Sequence, residues 1–156
     1  MTATYDLYRR ISSVPVVGSR LFSAAFALKA PYFGTVLPHV QVMEPHRAEV
    51  RVAKHWGVQN HIGTVHAIAV CNGLEAAMGL LAEATVPEGM RWLPKGMEVD
   101  YLAKSDSSVV CHAGTTPADW DGAPDVPVRV WATRADGTTV VEGTIGLWVT
   151  PEPARG

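Results

Sequence analysis

The spacing of apolar residues changes several times along the chain, and each change marks an element. Between Tyr5 and Ser12, and again between Ser19 and Ala30, apolar positions recur at helical intervals, which predicts two short helices separated by Val14-Pro15-Val16-Val17-Gly18. The second carries a broad apolar face of Leu21, Phe22, Ala25, Phe26 and Leu28, so it should cover one end of a core. A helix lying on a membrane surface is the alternative, weakened by the few basic residues on its polar side. Pro31 stops this helix. From Thr35 the period falls to two, with Val36, Val40 and Val42 in one segment and Ala48, Val50 and Val52 in the next, which predicts strands joined by a turn at Glu44-Pro45-His46. Glu49, Arg51 and Lys54 alternate with those valines, so one face of the second strand meets water.

From Val65 to Ala84 the chain is apolar nearly all round a helical wheel, and Val86-Pro87-Glu88-Gly89 ends the helix. Alternation then returns in Met97 to Leu102, Ser108 to Gly114, Val126 to Arg134 and Val140 to Val149. A Pro/Asp/Gly-rich segment from Thr116 to Pro127 and the hairpin signal Ala135-Asp136-Gly137 connect these strands, and Pro151 and Pro153 close the chain with a frayed tail. The expected architecture is α+β, a single domain over 1–156, with a helical extension at 1–30 and a core at 35–150 in which an antiparallel sheet holds one long helix. A helix apolar on all sides requires either a sheet that curls around it or a second copy that covers it.

Composition narrows the function classes. The chain has 156 residues, 47% hydrophobic and 18% charged, with a formal net charge of -2 and no long basic cluster. That excludes a binder of the nucleic-acid backbone, whose affinity depends on concentrated positive charge. Cys71 and Cys111 lack Cys-x-x-Cys spacing and sit among apolar residues, which suggests buried thiols in a reducing, cytoplasmic compartment. Arg9-Arg10 and Ala25-Phe26-Ala27 have the look of an export signal, but Asp6, Pro15, Gly18 and Arg20 interrupt it. No run is expected to span a bilayer. His39, His46, His55 and His61 are too scattered for a metal set, so neither metal nor cofactor is expected.

The polar residues that stand out are those in and before the long helix. Asn72 and Glu75 lie in an otherwise apolar run, and a buried carboxylate is costly, so Glu75 is paired, protonated or kept for chemistry. Asn60, Gly63, Thr64 and His66 precede the helix in a loop. Asn72 alone reads as a helix-to-helix hydrogen bonder, and the alternative for Glu75 alone is a buried carboxylate bonded to Asn72 or to a partner chain, holding two chains in register.

Taken together, these residues resemble the PaaI-type acyl-CoA thioesterases of the hotdog fold, in which a curved antiparallel sheet wraps a central helix. The likeness rests on Asn60 six residues before His66, on Gly63 and Thr64, and on Glu75 nine residues after it. It covers about 35–150 and is nearer to a branch with alanine in place of the first of two glycines, since Ala67 and Ile68 stand where the pattern has Gly-Gly. The resemblance implies that Glu75 acts as general base or nucleophile and that the backbone N–H of Ala67 stabilises the oxyanion. It further implies that Asn60 orients water or the carbonyl, and that His66 polarises the thioester or braces the loop. Ile68 could narrow the pocket, Asn72 could replace part of a Ser or Thr that is Gly79 here, and Tyr101 and Lys104 echo a basic segment near the CoA. Trp56, four residues before Asn60, is expected to border the pocket.

Spacing gives a separate argument for an oligomer. Nine helical residues are about 900° of rotation and on the order of 13 Å of rise, which turns His66 and Glu75 of one chain in opposite directions. They can share a substrate only across a subunit interface, in a homodimer or dimer of dimers. The expected partner is an acyl-CoA or acyl-carrier thioester. The alternative is a non-catalytic hotdog protein that binds acyl-CoA or a lipid-like ligand, and a hydratase is a further rival whose patterns are not found.

Overall fold

The computed structural model describes residues 2–14, 17–121 and 124–153. Pro15 and Val16 of the break between the first helices, Gly122 and Ala123 of the Pro/Asp/Gly-rich connection, and 154–156 of the expected frayed tail lie outside the described residues. Three helices, α1 (Ala3–Ser12), α2 (Gly18–Lys29) and α3 (Ala67–Thr85), accompany six strands: β1 (His39–Glu44), β2 (Arg47–Val52), β3 (Met90–Tyr101), β4 (Val109–Gly114), β5 (Asp125–Arg134) and β6 (Thr139–Pro151). The strands form one antiparallel sheet in the order β1-β2-β4-β5-β6-β3, and α3 lies in its curve. This is the hotdog arrangement.

Burial of α3 holds the domain together. Val70, Leu74, Leu80 and Leu81 are fully buried with Val50, Val52, Val128 and Val130 of the sheet. Each such side chain contributes about 1.5–3 kcal/mol over its exposed state. Contact is close enough that a Cβ on Gly73 would sit 2.6 Å from Cys111 Sγ and 2.7 Å from Val52 Cγ2. Cys111 is buried, and that burial pushes its thiol pKa up. Cys71, expected to be buried, is instead partly open.

Several boundaries differ from the sequence expectation, each for a local reason. Val36 belongs to a 3-10 turn (Phe33–Val36) closed by Leu37 at φ 49°, so β1 begins only at His39. A bulge between Val40 and Val42 then shifts the register, which buries Met43 and leaves Val42 half-buried. The strand expected from Met97 starts at Met90, because Arg91 to Pro94 already pair with Thr150 to Leu147. Pro94 is tolerated there since β3 is an edge strand, and a bulge follows it.

The long helix is also less enclosed than its wheel suggests. Ile68, Cys71, Glu75, Gly79 and Glu83, three and four residues apart, form a stripe that stays partly exposed, because β3 meets it through the Trp92 and Tyr101 side chains and leaves gaps between them. The sheet curls around the rest, and α1 closes one end where Thr2 Oγ1 donates to the Glu83 carbonyl at 2.8 Å. By length and composition α3 could cross a bilayer, contrary to expectation, yet most of it is buried inside the domain.

Replacing Gly73 with alanine should lower stability, since about 1–3 kcal/mol of overpacking exceeds the roughly 1 kcal/mol gained in helix propensity. Urea denaturation should show a lower midpoint; a higher one would mean that β2 and β4 can move away from the helix.

Candidate functional site

The loop before α3 is built by Asn60. Its Oδ1 accepts from the backbone N–H groups of Ile62 (3.2 Å) and Thr64 (3.1 Å), and its Nδ2 donates to Thr64 Oγ1 at 2.8 Å. Gly63 sits at φ 76°, a left-handed conformation that glycine adopts without strain. The loop is pinned by Val65 N–H to the Ser105 carbonyl (2.8 Å) and His66 N–H to the Val58 carbonyl (2.7 Å). Asn60 thus spends its acceptor on the loop itself, and its role is to shape the approach to His66.

His66 is the N-cap of α3. Its Nδ1 accepts from the Ile68 N–H at 3.1 Å, so the ring is held with its proton on Nε2, which points out as a donor. Ala67 follows at the first helical position, where an N–H has no carbonyl one turn earlier to bond. Two donors, one imidazole and one backbone amide at the positive end of a helix, are therefore available to an anionic oxygen.

Beside them is a cavity of about 240 Å³ bordered by Tyr32, Gln59, His66, Ile68 and Asn72. The sequence grouped Asn72 with Glu75, but the helix turns it to this side. Its Nδ2 donates to the Tyr32 carbonyl (3.4 Å) and Thr35 Oγ1 (3.2 Å), tying α3 to the 3-10 turn, while its buried Oδ1 has no partner. Trp56 does not border a pocket as expected: it is 91% exposed, with only its neighbour Gly57 at the cavity wall. Ile68 is 56% exposed and stands at the rim without plugging it.

Glu75 lies in a different space. A groove of about 330 Å³ runs between α3, α2 and β3, with Glu75, Phe26, Phe33, Met78 and Trp92 on its walls. Glu75 is half-buried rather than buried, and among the described residues no side chain bonds to it. Lys29 shares the groove but donates to Thr4 Oγ1 at 3.1 Å. Gly79 has a clear reason to lack a side chain. The Trp92 ring lies over it, its Cη2 3.3 Å from where a Cβ would be, and its Nε1 donates to Glu83 Oε1 at 3.2 Å. A smaller cavity continues from Glu75 along Pro94, Gly96 and Met97 of β3.

Tyr101 and Lys104 stand apart from both sets of residues. The Tyr101 hydroxyl meets Cys71 Sγ at 3.8 Å, and that hydrogen bond raises the phenol pKa. Lys104 is exposed and offers its carbonyl to Arg134. In one chain, then, His66 and Glu75 border separate cavities. Walls of the groove come from α2 and Trp92, and the signal for α2 was its apolar face, read as covering one end of the core.

A family model described as a domain of unknown function (DUF4442) matches residues 18–149. Among solved structures, the structural-genomics protein APC5556 is 36% identical with a TM-score of 0.84, covering 96% of this chain and 99% of its own. A thioesterase family protein from Silicibacter pomeroyi is 19% identical with a TM-score of 0.69, covering 83% and 96%. Thioesterase HI1161 from Haemophilus influenzae is 12% identical with a TM-score of 0.70, covering 80% and 87%. No curated protein matches the chain.

The capping role of His66 makes a stability prediction. His66→Ala should cost about 0.5–2 kcal/mol, and His66→Asn, which can still cap, should recover most of it. Thermal melts of the two variants check this; equal losses would show that the imidazole does not cap.

Proposed function

We propose that this chain, which belongs to the DUF4442 family, is a thioester hydrolase that cleaves an acyl-CoA or acyl-carrier thioester. The observation that carries the reading is Glu75: a carboxylate with no bonding partner among the described residues, on the wall of an apolar groove of about 330 Å³. A structural carboxylate would have a cation or donor against it. One that activates water needs a free oxygen beside the place where the substrate carbon sits.

The other half of the chemistry comes from a second copy. In one protomer the Ala67 N–H and the His66 Nε2–H lie about 12 Å or more along the helix from Glu75, too far to act on the same carbonyl. An unpaired edge supports the dimer: β3 bonds only to β6, and Leu93, Met97, Tyr101 and Leu102 are exposed along it and just beyond. The opposite edge is already protected, since the Val40 N–H donates to Ser23 Oγ of α2. Pairing of two β3 strands about a two-fold axis would continue the sheet and bring each Glu75 groove towards the partner's loop.

In this arrangement Glu75 takes a proton from water as the oxygen attacks the thioester carbon. The Ala67 N–H and His66 Nε2–H hold the developing oxyanion, the C–S bond breaks, and the thiolate leaves with a proton from the carboxyl group. A nucleophilic Glu75, forming an anhydride that water then opens, uses the same residues. Neither route calls for a metal or cofactor.

Glu75→Gln should keep the fold and the affinity for acyl-CoA while lowering thiol release by at least about 100-fold, the usual scale of a lost general base. A thiol reagent with a panel of acyl-CoAs measures it, alongside binding by calorimetry. Turnover near the unsubstituted rate would overturn Glu75 as the catalyst, and saturable binding without thiol release by either protein would identify a ligand carrier instead.

A further inference from the structure

The groove beside Glu75 does not end where its wall is first met. Thr4, Phe26 and Lys29 border it and also border a second apolar cavity of about 170 Å³ between α1 and α2, whose remaining walls include Leu7, Phe22 and Ala25. Of the three shared residues, Thr4 and Lys29 are bonded to each other across the two helices. The third, Phe26, is the bulky one. Its ring is stacked on Phe33 at 5.3 Å between centroids and 13° between planes, which fixes it between the two spaces.

We propose that Phe26 sets the length of acyl chain that this protein accepts. The inference rests on the thioesterase reading and names its substrate class: straight acyl chains of intermediate length, entering past Glu75 and ending against the Phe26 ring. Two observations support this. The groove volume lies at the low end of the roughly 300–1,000 Å³ typical of small-molecule sites, so it is filled by a modest apolar group. The space beyond Phe26 is apolar and already shaped, so removing the ring would extend the groove into it. Each methylene buried in the groove should strengthen binding about fourfold until the chain meets the ring, after which the gain stops.

The test uses the full chain with Phe26→Ala and Phe26→Trp, each also on a Glu75→Gln background, and saturated acyl-CoAs from butanoyl to hexadecanoyl. Kd comes from calorimetry and kcat/KM from thiol release. The chain length at which affinity stops rising should move up in Phe26→Ala and down in Phe26→Trp. A general loss of packing could not move the limit in opposite directions. A limit that is the same in all three proteins, or losses that run in parallel at every chain length, would overturn the proposal. If the limit moves while no protein releases thiol, Phe26 stands and hydrolysis falls. Thiol release with a fixed limit does the reverse, and no binding of any acyl-CoA overturns both.

Discussion

The packing of α3 into the curve of the sheet is the constraint on which the other features depend. It buries most of the large aliphatic side chains, and it is tight enough to demand glycine at position 73, against Cys111 and Val52. A six-stranded sheet with this curvature encloses only part of a helix circumference. The stripe from Ile68 through Glu75 to Glu83 is what remains, and both carboxylates of the helix fall on it. A charge on any other face would pay several kcal/mol in desolvation. The open stripe is thus a place on α3 where a carboxylate is cheap, and the Glu75 groove makes it a place a ligand can reach.

The start of the same helix does two jobs with one residue. By accepting the Ile68 N–H, His66 secures the first turn and fixes its own tautomer, which leaves Nε2–H and the Ala67 amide facing outward. Asn60 and Gly63 make this possible by folding the loop onto itself, so their contribution is architectural. Ala in place of glycine at position 67 leaves this arrangement intact, because the donor belongs to the backbone. Glycine at 79 follows from Trp92, whose ring occupies the space a larger residue would need.

What surrounds this frame gives the site its individuality. The N-terminal helices are not simply an end cover. They form a wall of the Glu75 groove, fastened by Thr2 to α3 and by Lys29 to Thr4. On the other side β3 bounds the groove and pairs with β6, and its outer edge is unpaired among the described residues.

By itself the sequence determined the order of elements, the sheet-and-helix architecture and the loop that opens α3, because those follow from local periodicity, turn residues and caps. It also singled out Glu75 and His66 and placed them half a turn out of phase along the helix. Four things were decided only by tertiary structure. Asn72 faces the His66 side, since its direction depends on what packs against the helix. Trp56 stands in solvent although its chain neighbour borders a cavity. The strand β3 begins at Met90, because pairing with β6 extends ahead of the alternation that starts at Met97. Finally, α2 and Trp92 line the groove of Glu75, a contact between residues tens of positions apart that no local pattern encodes. Periodicity tells which side of an element is apolar; which other element meets that side, and where a gap is left between them, is fixed only when the sheet has curved.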